Sequence, residues 1–398
     1  MTVNRSPFVE RVRLKNFKSI AGCDVGLGAL SFLVGPNGAG KSNFVDALRL
    51  VSDSLRNSLE HALRDRGGIG EVRRRSGGHP THFWIRLDLN IPSGGQAMYA
   101  FIVGAKAEGA FEVQREVCRI RSGEGTADYD VSSGRVTSSS LSAPPAASDD
   151  RLYLVNASGL MPFRKLYDAL AGMGFYNPNP KDIRALQPPQ DGRLLDASGR
   201  NIASVIAALE RNAADRKSLI EDFLHQVVPS VHGVERKVLG PMETLEFRQD
   251  VSGSKHPYPW RFLAASMSDG TLRALAVLTA LYQVNGNGGI PLVALEEPET
   301  ALHPAAAAVL RDALRDAART TQVLVTSHSP DLLDDKDISE KEVLAVVAED
   351  NVTRIGPIDE AARDVLRRQL YTAGELLRID QLRPDAGFFD QREPDFFD

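Results

Sequence analysis

Apolar and polar positions near the start of the chain change from a strand period to a helix period. Residues 8–20 alternate apolar and basic side chains, which predicts an edge or half-buried strand. Residues 30–34 form a short apolar run and predict a buried strand. Residues 43–59 carry apolar side chains at helical spacing, so the order is strand, glycine-rich turn and helix.

The following part of the chain has the pattern of a β-meander. Residues 82–91, 97–103 and 111–120 alternate in polarity, which predicts three successive strands. Before them, residues 64–78 are rich in arginine and glycine and predict an exposed loop. After them, residues 122–150 are rich in Ser, Gly, Ala and Asp, and predict either a mobile loop or a loose hairpin.

A helical stretch and then an alternation of helices and strands complete the pattern. Residues 152–228 are predicted to be mostly helical but lack a sustained heptad, which favours a helical insertion over a long coiled coil. An apolar helix is predicted at residues 271–283. Buried strands at 292–295 and 323–326, with a helix at 305–318 between them, indicate a parallel sheet. Further strands are predicted at residues 234–247, 343–347 and 352–358.

These patterns predict an α/β fold and divide the chain into four parts. We expect an N-terminal lobe at residues 1–150, a helical insertion at 151–235, a C-terminal lobe at 236–380 and an acidic tail at 381–398. The tail contains Phe388-Phe389-Asp390 and again Phe396-Phe397-Asp398. A frayed end is the simpler interpretation of the tail, and a partner-binding peptide is the alternative.

Composition narrows the class of protein. Apolar residues at 42% and charged residues at 25% are ordinary for a soluble protein with a hydrophobic core. A net charge of -5 does not mark the whole chain as a nucleic-acid binder, although a local basic surface is compatible with it. Two cysteines exclude a disulfide framework. With a polar start and no apolar run of about 20 residues, we expect a cytoplasmic protein.

A phosphate-binding motif lies between the first buried strand and the first helix. Residues 35–42 match G-x-x-x-x-G-K-[ST] in full and have the strand and helix that the motif requires on either side. Glycines allow backbone N–H groups to surround phosphates, Lys41 supplies a charge to the β- and γ-phosphates, and Ser42 supplies a hydroxyl to Mg²⁺. The predicted nucleotide-binding residues are Gly35, Pro36, Asn37, Gly38, Ala39, Gly40, Lys41, Ser42 and Asn43.

Carboxylates end the first strand of the predicted parallel sheet. Glu296 and Glu297 follow the apolar run that ends at Leu295. Ligands bind at the carboxyl ends of strands in open α/β sheets. We expect Glu296 to act on the Mg²⁺ shell and Glu297 to polarise the attacking water as a general base.

Four segments together resemble those of RecF-like and OLD-like bacterial ATPases of the AAA15/AAA_21 type, which have ABC/SMC-type heads. Glu297-Pro-Glu-Thr-Ala-Leu-His-Pro304 resembles their Walker B and D-loop segment, and Thr326-Ser-His328-Ser-Pro330 resembles their switch-histidine segment. The two other segments are Ser266-Met-Ser268-Asp-Gly270-Thr271, which resembles the signature motif, and Leu14-Lys-Asn16-Phe17-Lys18-Ser19, which resembles the opening strands. The resemblance implies a P-loop NTPase fold with a mixed or parallel sheet core, a β-meander lobe and a helical insertion.

The resemblance also implies an ATPase that dimerises around two ATP-Mg²⁺. Lys41, Glu297 and His328 would act in catalysis, and the signature residues Ser268, Asp269, Gly270 and Thr271 would contact the ATP of the opposite subunit. Members of this group often occur in phage-defence or DNA-repair systems. His303 is better explained as a structural residue of the D-loop turn.

This chain departs from the family pattern in two ways. Glu296 stands where the family usually has aspartate, and Gln96 and Gln114 are only candidates for the Q-loop glutamine. Asp335 and Asp337 superficially offer the paired carboxylates of a nuclease, but the chain after them is too short for a nuclease unit of the OLD type. We therefore expect any cutting activity to belong to a separate partner protein.

The remaining alternatives concern partners. Arg73, Arg74 and Arg75, with Arg64 and Arg66, form the clearest basic cluster, which predicts salt-dependent DNA binding or simply an exposed loop. One hypothesis is an ATPase that gates a partner effector in DNA repair or phage defence. The second is an ATP-dependent protein-binding regulator without nucleic-acid binding. A small-molecule kinase or a transporter subunit is the third, and the four ordered segments argue against it.

Overall fold

The computed structural model describes residues 6–76, 80–91, 94–123, 125–251, 259–284 and 289–388, together with Phe397. The chain divides by its internal contacts into two units. Unit 1 comprises Met1–Met173 and Lys336–Asp398, and unit 2 comprises Gly174–Asp335. Parts of three predicted segments, namely the chain start, the arginine-rich loop and the acidic tail, lie outside the described residues.

The first stretch of unit 1 contains eight strands and five helices among its described residues. They are β1 (Val9–Phe17), β2 (Ile20–Gly26), β3 (Leu30–Val34), α1 (Lys41–Arg56), α2 (Leu59–Arg64), α3 (Ile69–Val72), β4 (His82–Asn90), β5 (Gln96–Ala105), β6 (Phe111–Ser122), β7 (Gly125–Ser132), β8 (Arg135–Ser139), α4 (Tyr153–Ala157) and α5 (Met161–Ala171).

The predicted β-meander is confirmed and extends further than expected. Strands β4 to β8 pair antiparallel in sequence order, and β4 also pairs with β1. Strands β7 and β8 form the hairpin that was one of the two interpretations of residues 122–150, and their turn contains Ser133 and Gly134 at positive φ. The predicted strand at residues 8–20 is divided in two, because Asn16 and Lys18 also have positive φ at the β1–β2 turn.

Unit 2 contains six strands and five helices among its described residues. They are β9 (Gly174–Tyr176), α6 (Pro180–Arg184), α7 (Ile202–Asn212), α8 (Ala214–Val227), β10 (Val231–Leu239), β11 (Met242–Gln249), β12 (Trp260–Leu263), α9 (Asp269–Tyr282), β13 (Leu292–Glu296), α10 (Ala306–Ala317) and β14 (Gln322–Ser327).

The parallel arrangement expected from the strand–helix–strand pattern is present. Strand β13 pairs parallel with β14, with Glu296 opposite Thr326, and every residue from Leu292 to Leu295 is buried. On its other side β13 pairs parallel with β9, although this segment lies within the stretch predicted to be mostly helical. Three residues are too few for a strand period to show in the sequence.

The chain returns to unit 1 with two strands and two helices. They are β15 (Val343–Glu349), β16 (Val352–Pro357), α11 (Glu360–Arg367) and α12 (Ala373–Arg378). Strand β15 pairs parallel with β3, and β16 pairs parallel with β2, so the closing strands lie directly beside the N-terminal ones. Among the described residues, the helices are all too short or too polar to cross a lipid bilayer.

One buried carboxylate connects the meander to the start of α4. Glu116 on β6 is fully buried, and it accepts hydrogen bonds from the Tyr129 hydroxyl at 2.7 Å, the Tyr99 hydroxyl at 3.1 Å and the backbone N–H of Leu154 at 2.9 Å. The Tyr153 N–H donates to its other oxygen. Burial raises the pKa of the Glu116 carboxyl, and these four donors oppose that rise.

Replacing Glu116 is expected to destabilise the protein strongly. Glu116→Ala leaves four donors without an acceptor and should lower the free energy of unfolding by roughly 3 kcal/mol, measured by urea denaturation. Glu112→Ala is the matched control, because Glu112 on the same strand makes a partly exposed ion pair with Lys106 and a long hydrogen bond with Gln114, and its loss should cost less than about 1 kcal/mol. Equal effects of the two substitutions would contradict this assignment.

Candidate functional site

The glycine-rich turn of unit 1 lies between β3 and α1. Gly40 is the N-cap of α1 and has a left-handed backbone with φ of 102°, and Gly38 has φ of 78°. Glycine adopts such φ values without the strain that a Cβ introduces. The helix begins at Lys41, so its first N–H groups point toward the turn.

Two of these glycines are also required by close packing beneath the turn. A Cβ on Gly35 would lie 1.9 Å from the carbonyl oxygen of Val346, which is on β15. A Cβ on Gly40 would lie 2.0 Å from Oγ1 of Thr353, which is on β16. Both distances are far shorter than any real contact, so the closing strands permit no side chain at either position.

Lys41 connects the two ends of the turn. Its side chain is buried, and Nζ donates hydrogen bonds to the carbonyl oxygens of Gly35 at 2.8 Å and Pro36 at 3.0 Å. The next residue, Ser42, is exposed. The start of the helix therefore presents the Lys41 ammonium group, fixed by two hydrogen bonds, and next to it the exposed hydroxyl of Ser42.

A chain of side-chain hydrogen bonds connects the turn to β2 and β16. Nδ2 of Asn43 donates to Oγ of Ser19 at 2.6 Å, and Ser19 Oγ lies 2.6 Å from Oγ1 of Thr353. Thr353 Oγ1 in turn donates to the carbonyl oxygen of Ala39 at 2.9 Å. The sequence motifs included Asn43 and Ser19 but not Thr353, which lies more than 300 residues later in the chain.

In unit 2, the strand β13 ends at the predicted carboxylates. Glu296 is the last residue of the strand, and Glu297 follows in a left-handed conformation with φ of 45°. The N–H of Glu297 donates to the carbonyl oxygen of Thr326 at 3.0 Å. Positive φ is uncommon for a residue with a long side chain, and it turns the Glu297 side chain away from the strand direction.

The structure brings Glu297 and His328 together. Nδ1 of His328 lies 3.2 Å from Oε1 of Glu297, and their side chains are 40% and 36% exposed. Solvent therefore reaches both groups. This geometry allows a carboxylate and an imidazole to act on the same water molecule, with the imidazole holding the carboxylate in place.

A second carboxylate lies behind this pair. Oε1 of Glu299 accepts a hydrogen bond from Ser327 Oγ at 2.5 Å, and Ser327 Oγ accepts one from the N–H of Ser329 at 3.0 Å. Burial raises the pKa of the Glu299 carboxyl. Glu299 therefore fixes the segment that carries His328, while Glu297 remains accessible.

Sequence reasoning missed Arg273, the residue that holds the backbone beneath the carboxylates. Its guanidinium donates to the carbonyl oxygens of Glu296 at 3.1 Å, Glu297 at 3.0 Å and Pro178 at 2.6 Å. The side chain is buried, which lowers its pKa. A single arginine in the apolar run of α9 was the available signal, because a buried arginine requires several acceptors.

The predicted signature residues form the start of α9. Ser268 is the N-cap, and its Oγ accepts a hydrogen bond from the Thr271 N–H at 3.1 Å. Asp269 pairs with Arg184. Gly270 packs against the D-loop segment, because a Cβ there would lie 2.6 Å from the carbonyl oxygen of Ala301.

The structure separates the predicted basic cluster into structural and exposed arginines. Arg66 is structural, since its guanidinium binds Asp46 at 2.8 Å and Asp53 at 2.9 Å on α1. Arg73 donates to the carbonyl oxygen of Pro80 at 2.7 Å. Arg75 is 70% exposed and pairs with Glu71, while Arg74 is partly buried.

The acidic segment after His328 has a structural partner. Oδ2 of Asp335 lies 3.1 Å from Nε of Arg311 and 3.0 Å from Arg315, both on α10. These contacts give a structural role to Asp335, one of the two carboxylates that superficially suggested a nuclease.

Comparison with known proteins gives a family and a fold. The profile of the family described as "AAA domain, putative AbiEii toxin, Type IV TA system" matches residues 30–96 and 157–334. The structure of an Smc head bound to the C-terminal winged-helix domain of ScpA is similar, with 15% identity, a TM-score of 0.55, and coverage of 90% of this chain and 100% of that one.

A second similar structure supports the same fold. It is an Smc head with an extended coiled coil, bound to the C-terminal domain of ScpA derived from Pyrococcus furiosus. Its identity is 13% and its TM-score 0.52, and the match covers 92% of this chain and 100% of that one. At such identities the likeness is one of fold. No curated protein matches the sequence.

Replacing Arg273 by lysine is expected to destabilise unit 2. A single ammonium group cannot serve the acceptors that the guanidinium fork reaches, so Arg273→Lys should cost roughly 2 kcal/mol in urea unfolding. Arg319→Lys is the control, because Arg319 is 69% exposed and, within the described part of the chain, its one ion pair is with Asp316. If the two variants unfold at the same urea concentration, Arg273 does not have this role.

Proposed function

The chain belongs to the AAA_21 family of AAA domains, and from this premise we propose that it binds ATP with Mg²⁺ and hydrolyses it. The observation that carries the proposal is the turn before α1. Its left-handed Gly40, its buried Lys41 and its exposed Ser42 support the proposal, because a phosphate group is bound by backbone N–H groups at a helix N-terminus with a cation and a hydroxyl nearby.

The residues present suit the nucleotide. The N–H groups at the start of α1 and the positive end of its dipole favour an anion, and α1 is 16 residues long. The Lys41 ammonium already lies against carbonyl oxygens, and we propose that it moves little to reach the β- and γ-phosphates. The Ser42 hydroxyl and the Glu296 carboxylate are the hard oxygen ligands that Mg²⁺ prefers, and the ion would neutralise phosphate charge there.

Hydrolysis is proposed to depend on Glu297 and His328. Glu297 would accept a proton from water as that water attacks the γ-phosphorus, which releases ADP and phosphate. His328, at 3.2 Å from the carboxylate, would orient Glu297 and the water. The left-handed backbone at Glu297 and the hydrogen bond from Arg273 to its carbonyl oxygen support this proposal, because they fix the backbone that carries the carboxylate without burying the carboxylate.

Dimerisation is the finer part of the proposal. We propose that the start of α9, with Ser268, Asp269, Gly270 and Thr271, contacts the γ-phosphate of ATP bound to a second copy. The support is local: Ser268 caps a 14-residue helix, so the remaining N–H groups of its first turn and its dipole are available to an anion. ATP would then hold two copies together until it is hydrolysed.

A role in DNA repair or phage defence, in which the ATPase gates a separate effector, rests on the family resemblance. The two similar Smc heads are each bound to a domain of ScpA, a partner protein, and we propose that this chain likewise takes a protein partner. DNA contact by Arg73, Arg74 and Arg75 is the proposed nucleic-acid site.

The alternative is a regulator that binds protein and no nucleic acid. The contacts that the arginines of the basic cluster make within the protein favour this alternative. Arg66 binds Asp46 and Asp53, Arg73 binds a carbonyl oxygen, and Arg75 pairs with Glu71. The carboxylate contacts of Arg66 and Arg75 reduce the charge that a DNA phosphate would meet, and the contact of Arg73 occupies one of its N–H donors.

Substituting the proposed general base should trap the dimer. Glu297→Gln keeps nucleotide binding but removes the base, so with saturating ATP-Mg²⁺ the variant should sediment as a dimer, while ADP leaves it monomeric. Analytical ultracentrifugation measures this. Lys41→Ala is the matched control, since loss of the ammonium should prevent ATP binding in calorimetry and thereby dimerisation. A monomeric Glu297→Gln variant with bound ATP would refute the proposed dimer.

Filter binding distinguishes the two proposed classes of partner. Duplex DNA should be retained with ATP, and the affinity should fall steeply as salt is raised, because arginine–phosphate contacts release counterions. The double substitution Arg74→Glu and Arg75→Glu should abolish retention, whereas Arg319→Glu should not. Absence of DNA retention at low salt, with or without ATP, would leave the protein-binding regulator.

A further inference from the structure

An apolar patch interrupts the polar face of the meander in unit 1. Strand β1 places Arg13 and Lys15 on this face, since the alternate residues Val12 and Leu14 are buried. Continuing across the sheet, Lys15 lies opposite Trp84 on β4. The same face continues through apolar side chains on β4, β5 and β6, namely Trp84, Met98, Ala100, Ile102 and Val117.

Phe397 covers this patch. It is 6% exposed and forms a hydrophobic cluster with Ala100, Ile102 and Val117, which are 0%, 9% and 2% exposed. Trp84 and Met98 pack against the same cluster. Phe397 is thus buried among strands that are all distant from it in sequence. The last residues of a domain are ordinarily exposed unless they pack against another element.

The ring of Phe397 has specific neighbours. Its centroid lies 5.5 Å from that of Trp84, and the guanidinium carbon of Arg115 lies 4.2 Å from it. Both distances are within the range of attractive aromatic and cation–π contacts. The Phe397 ring therefore contacts three kinds of group, namely aliphatic side chains, the indole of Trp84 and the guanidinium of Arg115.

Two arginines without an ion pair in the described part of the chain border the patch, beside arginines that pair with Asp88 and Asp130, and the segment that carries Phe397 is acidic in sequence. Strand β6 places Arg119 and Arg121 on the same face, both exposed and without an ion pair to any other described residue. They also line an open cavity of about 630 Å³ that shares Met98 with the patch. In sequence, Phe397 is flanked by acidic residues, namely Asp390, Glu393, Asp395 and Asp398.

We propose that this face of the meander is a binding site for an aromatic residue flanked by carboxylates, and that Phe397 of the same chain occupies it. The aromatic pocket gives the affinity and the surrounding arginines select an acidic peptide. The site is distinct from the nucleotide-binding turn, and the inference does not depend on the proposed ATPase activity.

Trp84 reports occupancy directly. The chain has two tryptophans, and the other, Trp260, is 50% exposed, so Trp260→Phe leaves Trp84 as the single fluorophore. In this background Phe397→Ala should shift the Trp84 emission to longer wavelength and raise its acrylamide quenching constant by at least about twofold, because an aromatic cover is removed. Leu370→Ala, which removes another apolar side chain that is 63% exposed, should change neither.

Adding the segment back tests binding. A peptide of residues 389–398 with blocked ends should restore the original Trp84 emission of the full-length Phe397→Ala chain in a saturable manner. The chain with its own Phe397 should need at least about tenfold more peptide, because a tethered segment competes at high effective concentration. The affinity should fall with added salt, and a peptide with alanine in place of both Phe396 and Phe397 should not bind.

Three results would overturn the proposal. Unchanged Trp84 emission in Phe397→Ala would mean that the segment does not cover the patch. Equal peptide affinity in the presence and absence of Phe397 would mean that the segment does not occupy the peptide's site. Emission that depends on protein concentration would mean that the segment comes from a second copy and not from the same chain.

Discussion

The ammonium group of Lys41 is held between the carbonyl oxygens of Gly35 and Pro36, and the turn that presents these oxygens depends on two strands from the far end of the chain. Val346 and Thr353 lie so close beneath the turn that only glycine fits at positions 35 and 40. The motif is therefore a local sequence whose shape is enforced by distant residues. Its glycines serve both conformational freedom and the approach of β15 and β16.

At the carboxylates of unit 2, distant residues also fix the backbone conformation, but they do so by hydrogen bonds instead of close packing. Glycine is absent at position 297, and the left-handed backbone there is maintained by hydrogen bonds, from the Glu297 N–H to Thr326 and from Arg273 to its carbonyl oxygen. A buried guanidinium is stable only while its acceptors remain in place. The hydrogen bond from Arg273 to the Glu297 carbonyl oxygen therefore offsets both the burial of the guanidinium and the backbone strain at Glu297, while the Glu297 carboxylate is still reached by solvent.

Most of the fold could be predicted from the sequence because its elements carry strong periods. The meander shows its period over enough residues to be recognised, and the strands β13 and β14 are recognised as short apolar runs on either side of a helix. The three-residue strand β9 was missed because a segment of that length shows no period. The turn between β1 and β2 was missed because its positive φ values occur at Asn16 and Lys18, neither of which is glycine.

In the candidate site, too, the residues in contiguous motifs could be predicted and those that are distant in sequence could not. Residues 35–43 and 296–297 could be predicted because their chemistry lies in contiguous motifs. Thr353 could not, since its hydrogen bonds to Ser19 and Ala39 join positions separated by 334 and 314 residues. The contacts of Phe397 could not be predicted either, because they are made to alternate positions of three strands and no local sequence pattern specifies them. A short segment that carries chemistry without periodicity does not specify its own contacts, so the burial of the Phe397 ring emerges only from the tertiary structure.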